Sequence, residues 1–207
     1  LHKDISDEEL NKWVYEVEKI HHGTPSGIDN TVIVYEMPIR YQRFPRLVAN
    51  YAGNLTNSIQ YLGVKSPFHI IIADTGQTAL TRESVGDVRK LYEANSIATT
   101  LIFNKIEAIV EQALVCLASG DLVELGRLMT ENHEQLQKLT VSSPQLDKLV
   151  STAIDAGALG AKLSGGGRGG NMIALVKESD IQPVTDALLK SGATRVFNTL
   201  VQSKVSS

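Results

Sequence analysis

Residues 161–176 read AKLSGGGRGGNMIALV. Two short apolar runs flank a stretch, 165–170, in which every position except Arg168 is glycine. This pattern predicts a strand, a tight loop and a second strand, because glycine reaches the positive φ values such a loop needs. The surrounding patterns constrain the rest. HIIIADT (69–75) is the short continuous apolar run of a buried strand, and ATRVFNTLV (193–201) reads as a final strand. Helical patterns fill the space between 69–75 and the hairpin, and ESDIQPVTDALLKSG after it is another helix. A small sheet, a run of helices and then strand–strand–helix–strand is an α+β arrangement.

Local signals set the element ends. Ser6 with Glu9 three residues later forms a capping box, and Leu10, Trp13, Val14, Val17 and His21 follow at helical spacing, which predicts an apolar face. TVIVY (31–35) reads as a strand from its β-branched content. A helix is expected within RLVANYAGNLTNSIQYLG (46–63). Thr81 is a candidate N-cap for TRESVGDVRKLYEA, and a long helix over 96–119 should stop at Gly120. Asp121 with Glu124 starts the next helix, which runs toward Leu139. Ser143 before Pro144 starts another, and Gly157 ends it.

Composition removes several classes. With 207 residues, 43% apolar and 21% charged, the chain suits one large domain or two small ones, not a disordered, collagenous or coiled-coil protein. A net charge of −3 gives no general attraction to nucleic acid or membrane. The two arginines of RYQRF, together with Arg46, fit a solvated edge better than a nucleic-acid surface. Cys116, the sole cysteine, lies in an apolar run and reads as a small buried hydrophobe. No run approaches the roughly 18 to 20 apolar residues of a membrane span, and no signal peptide is visible, so a cytoplasmic protein is expected. The chain begins at Leu1 and not at methionine, so a fragment is expected.

Three stretches could carry chemistry. Backbone N–H groups of the glycine loop can approach an anion closely, and Arg168 would suit a phosphate; the competing reading is a plain flexible turn. HHGTPSGIDN (21–30) gathers His21, His22, Ser26 and Asp29 around a proline turn. An aspartate there can orient a substrate hydroxyl or take its proton, whereas each histidine alone reads more readily as structural, His21 above all because it lies on the apolar stripe. In DTGQTALTRESV (74–85), Thr81 opens a helix whose N-terminus favours anions, or is simply a cap. The loop matches neither a Walker A motif nor a dinucleotide fingerprint, and no nucleophile elbow accompanies Ser26.

Taken together, HHGTPSGIDNT, ADTGQTALTRESVGDVR, MTENHEQLQKLTVSSPQLDKLV and AKLSGGGRGGNMIALV resemble, in order, the later portion of mevalonate kinases of the GHMP kinase superfamily. The likeness covers nearly the whole chain apart from 36–66. It implies a GHMP-kinase C-terminal domain over 67–207, with a ferredoxin-like sheet and additional helices. Residues 1–66 would be the tail end of an S5-like N-terminal domain. It further implies ATP-dependent phosphorylation of the mevalonate 5-hydroxyl, with ATP and Mg²⁺ as cofactors and no metal ligand in this chain; the sequence leaves the oligomeric state open, a homodimer included. Asp29 matches the catalytic aspartate. His22, Ser26 and Thr81 would contact substrate, and Gly165, Gly166, Gly167, Arg168, Gly169 and Gly170 would flank the nucleotide phosphates.

Two departures stand out. The family's phosphate loop P-x-x-x-G-L-G-S-S-A is absent, as are the N-terminal lysine and the acid that helps hold Mg²⁺. The chain alone is therefore expected not to turn over. Arg168 stands where many relatives have a small residue, and could contact phosphate or point away. The rival readings are a related kinase, such as one acting on phosphomevalonate, and a non-catalytic ferredoxin-like binding module.

Overall fold

The computed structural model describes residues 5–22, 27–42, 58–77 and 81–203, with the backbone alone at 21, 22, 58, 81 and 82. The chain divides into two compact units, Leu1–Gly63 with Ser203–Ser207, and Val64–Gln202.

The first unit contains α1 (Asp7–His22), α2 (Ile28–Tyr35) and an antiparallel pair, β1 (Ile39–Gln42) with β2 (Ser58–Tyr61). Ser6 Oγ accepts the Glu9 N–H at 3.3 Å, which satisfies one of the unpaired donors of the first turn. The apolar stripe of α1 is less buried than its pattern predicts, since Leu10, Trp13 and Val17 are all exposed.

TVIVY is helical, which corrects the strand expected there. The buried residues of α2 are Asn30, Thr31 and Val34, a helical spacing. Thr31 Oγ1 donates to the Gly27 carbonyl one turn back at 2.6 Å, and Asn30 Nδ2 donates to Asn11 Oδ1 on α1 at 2.7 Å. β-branched content records how well a side chain suits a pleated surface, and contact with α1 overrides it here. The helix expected within 46–63 is also corrected at its end, where Ser58–Tyr61 form β2; residues 46–57 lie outside the described residues.

The second unit runs β3 (Phe68–Asp74), α3 (Thr81–Ala94), α4 (Ser96–Ser119), α5 (Leu122–Lys138), α6 (Pro144–Asp155), β4 (Gly160–Ser164), β5 (Asn171–Val176), a 3₁₀ turn (Glu178–Asp180), α7 (Ile181–Lys190) and β6 (Arg195–Val201). Its sheet order is β4-β5-β3-β6, with every neighbouring pair antiparallel. The first strand therefore sits inside the sheet and the last at its edge, the split βαβ arrangement of ferredoxin-like folds.

The element ends follow from local chemistry. Asp121 and Ser143 accept the N–H groups of Glu124 and Leu146. Gly120 at φ 80° closes α4 by donating to the Cys116 carbonyl. One face of the sheet packs Ile71, Ala161, Leu163 and Met172 against Leu146 and Leu149 of α6 and Val184 and Leu188 of α7. A second cluster joins α4 and α5 through Ile109, Cys116, Leu125 and Leu128. Burial pushes the Cys116 thiol up, in keeping with a packing role. Among the described residues, no helix is long and apolar enough to cross a membrane.

Candidate active site

The glycine loop joins β4 to β5 and is anchored on both sides. The Arg168 N–H donates to the Val141 carbonyl at 2.8 Å. The Gly170 N–H donates to the Gln77 carbonyl at 2.7 Å, and the Gly170 carbonyl accepts from Thr75 at 2.9 Å. These approaches need glycine: a Cβ on Gly167, at φ 76°, would overlap the Val141 carbonyl. Residues 165–166 form a hydrogen-bonded turn, and among the described residues the N–H groups of Gly165, Gly166 and Gly169 donate to no backbone carbonyl. A run of unpaired N–H groups in such a turn is a cradle for an anion.

Gly165, Gly166, Gly167, Gly169 and Gly170 line a cleft of about 800 Å³, together with Asp74 at the end of β3 and Arg195 and Phe197 of β6. Asp74 and Arg195 face each other in register. The Arg195 guanidinium donates to Asp74 Oδ2 at 2.6 Å and lies 5.9 Å from the Phe197 ring centroid. Asp74 Oδ1 also accepts the Gly76 N–H at 2.8 Å. Arg195, and then this N–H, hold the Asp74 carboxyl below its ordinary range. The cleft thus combines unpaired backbone donors with a cation that is already neutralised.

Sequence reasoning did not select Asp74 or Arg195. The two are 121 positions apart, and only the β3–β6 register brings them together. A charged residue at the end of one predicted strand and another at the start of a second was the available signal.

Arg168 does not line the cleft. Its guanidinium reaches Asp87 Oδ2 on α3 at 2.6 Å, and its Nε donates to the Thr140 carbonyl at 3.1 Å. Of the two directions open to Arg168 in the sequence, its side chain takes the one away from the cleft, toward an acidic partner and a carbonyl on the other side of the loop.

A partly buried polar network centres on His133, itself buried. His133 Nδ1 accepts the Leu163 N–H at 3.2 Å, so Nε2 carries the ring hydrogen and donates to Asp147 Oδ1 at 3.1 Å. Ser142 Oγ donates to the same carboxylate oxygen. Burial holds the His133 pKa below its ordinary value, against the pull of Asp147. This network ties α5 and α6 to β4 immediately before the loop.

The remaining candidates divide between the units. Asp29 is exposed in the first turn of α2 and does not precede a strand. Gly27, at φ 88°, sits at the N-cap of that helix. His21 and His22 are the last residues of α1, and their side chains lie outside the description. Ser26 is outside the described residues. Thr81 is the first residue of α3, with its side chain and its expected capping bond likewise undescribed.

The sequence pattern of the family described as "GHMP kinases C terminal" matches residues 107–194, a span that holds α5, α6, the β4–β5 hairpin and the glycine loop. The chain carries a GHMP kinase C-terminal domain. It is similar to the mevalonate kinase of Aeropyrum pernix, with 35% identity over 194 residues, covering 93% of this chain and 56% of that protein. Its structure is similar to that of L. major mevalonate kinase solved in complex with R-mevalonate, with a TM-score of 0.89 and 32% identity, covering 98% of this chain and 60% of that one. A likeness in fold alone extends to Streptococcus pneumoniae phosphomevalonate kinase solved with phosphomevalonate and AMPPNP, with a TM-score of 0.72 and 17% identity over 95% of this chain and 62% of that one. The chain spans about half the length of the curated relatives it matches. In this GHMP kinase C-terminal domain, the cradle of unpaired N–H groups is the feature best suited to a phosphorylated ligand.

Proposed function

We propose that the protein transfers the γ-phosphoryl group of ATP to the 5-hydroxyl of mevalonate. The observation that carries this reading is the likeness, along nearly the whole chain, to a mevalonate kinase solved with R-mevalonate. The hydroxyl oxygen forms a bond to the γ-phosphorus, the bond to the ADP oxygen breaks, and the hydroxyl proton leaves. Asp29 orients that hydroxyl or takes its proton. Its exposed place in the first turn of a helix leaves the carboxylate accessible, which supports the role. The N–H groups of Gly165, Gly166 and Gly169 hold phosphate oxygens, supported by their place on the cleft wall. Thr81 at the start of α3 adds a helix N-terminus for anionic charge, and His22 and Ser26 contact mevalonate.

Residues 1–66 serve in this reading as the end of an N-terminal domain bearing the substrate motif, with 67–207 as the C-terminal domain. Mg²⁺ accompanies the nucleotide. Among the described residues no group of three or more His, Cys, Asp or Glu side chains comes together. This chain's own contribution in this reading is positioning and charge stabilisation by backbone donors.

The test follows ADP release from ATP with mevalonate and with 5-phosphomevalonate, using the full-length protein and its Asp29→Ala variant beside the 207-residue chain, which alone should stay inactive. Mevalonate-dependent release is expected. The substitution should lower turnover by about 10²-fold or more while leaving the thermal midpoint unchanged. Near-normal turnover of the variant overturns the role of Asp29. Release with 5-phosphomevalonate alone moves the substrate one step along. No release with either, from folded protein, favours a binding module.

A further inference from the structure

The geometry points to Arg168 and Asp87 as positioning residues for phosphate binding: an ion-paired staple that holds the glycine loop in its anion-accepting shape. This deepens the kinase reading and rests on it for the identity of the anion.

Arg168 is the lone non-glycine in the loop and adopts φ 58°, a left-handed conformation that a side chain disfavours. A side chain retained at such a position needs compensation. Arg168 has it on three sides. Its guanidinium pairs with Asp87 of α3 at 2.6 Å, its Nε donates to the Thr140 carbonyl in the α5–α6 turn at 3.1 Å, and its backbone N–H donates to the Val141 carbonyl at 2.8 Å.

One residue thus ties the loop to α3 and to the α5–α6 turn. The far side of the loop is tied separately, through Gly170, to Thr75 and Gln77. The N–H groups of Gly165, Gly166 and Gly169, which donate to no backbone carbonyl among the described residues, sit within this doubly anchored loop. Six residues with five glycines would otherwise sample many conformations, and an anion would have to order them on binding. The ion pair is partly buried, with side-chain exposures of 29% and 35%, so solvent screens it less than a surface pair.

The arginine therefore acts at one remove. It points away from the cleft and supports phosphate binding by pre-ordering backbone donors.

Arg168→Gly isolates the side chain, because glycine accepts the same backbone conformation without strain. Asp87→Asn removes the charge from the other end. Lys90 also reaches Asp87, at 2.8 Å, so Lys90→Gln is the control. In the full-length protein, Arg168→Gly and Asp87→Asn should each raise the ATP KM and the dissociation constant for inorganic pyrophosphate by about tenfold, the scale of a charge-assisted hydrogen bond. The mevalonate KM and kcat should change by less than about twofold. Hydrogen exchange at the backbone amides of positions 168 and 170 should quicken by about tenfold, and the double variant should be no worse than either single one. Arg168→Lys should recover part of the affinity, since an amine can reach Asp87 but cannot also bridge to Thr140. Lys90→Gln should behave as wild type.

Unchanged exchange and pyrophosphate affinity in Arg168→Gly overturns the staple. So does a harmless Asp87→Asn beside a damaging Arg168→Gly, because that pattern puts the guanidinium itself on the phosphate. Absence of mevalonate-dependent turnover in the wild type counts against the kinase reading alone, and the exchange and pyrophosphate measurements still decide the staple.

Discussion

The two units of this chain contain similar apolar patterns and bury them very differently. In the second unit, Leu146, Leu149, Leu175 and Leu188 are all at 0% exposure. In the first, Trp13 is 57% exposed, Ile20 81% and Ile33 65%. Burying such a side chain contributes about 1.5 to 3 kcal/mol, so the second unit has a core of its own. The helices of the first rest more on local support, such as the Ser6 cap and the exposed Lys12–Glu8 pair at 2.7 Å, and a pair of that kind contributes little. Helical pattern is therefore no guide to how much stability a segment supplies; that depends on what covers it.

The contrast can be tested by substitution, beginning where the effect should be largest. Leu149→Ala in α6 removes a fully buried side chain and should destabilise the second unit by about 3 kcal/mol in urea unfolding. A loss below about 1 kcal/mol would mean the core repacks around the gap. Gly160→Ala should cost about 2 kcal/mol by the same assay, because its Cβ would overlap the Gly126 carbonyl where α5 meets β4.

A smaller effect should come from acid. His133 is held below its ordinary pKa in the folded state, so the unfolded chain takes up the proton first. Its contribution is fully present above the ordinary histidine value. It falls as the pH drops through that value toward the lowered one. The urea midpoint should therefore be lower at about pH 5.5 than at about pH 7.5, and His133→Gln should flatten that step. A midpoint insensitive to this substitution's pH profile would remove His133 from the account. Least of all, Ile33→Ala in the first unit should change stability by less than about 0.5 kcal/mol. A loss as large as that of Leu149→Ala would show that something covers this face in solution, and the contrast between the units would fail.

The legible features share one property: their cause lies within a few residues. Ser6, Asp121 and Ser143 cap helices whose N–H groups are three positions away, and Gly120 and Gly157 end helices at positive φ. The β4–β5 hairpin was visible because its loop and both strands are contiguous. Misread features depend on distant contacts. TVIVY became a helix on meeting α1 through Asn11, and SIQY became a strand on pairing with β1.

The candidate site shows the same division. That residues 165–170 form a glycine loop between two strands was legible along the chain, because backbone freedom is a local property. The direction of Arg168 was open until α3 supplied Asp87, 81 positions away. The pairing of Asp74 with Arg195 and the hold of His133 on the Leu163 N–H likewise belong to the fold. Caps, turns and hairpins arise from short-range sterics and hydrogen bonds, which a linear string records. Which charges face a cleft, and which are neutralised beside it, depends on strand register and helix packing, which place residues far apart in the chain within a few ångströms.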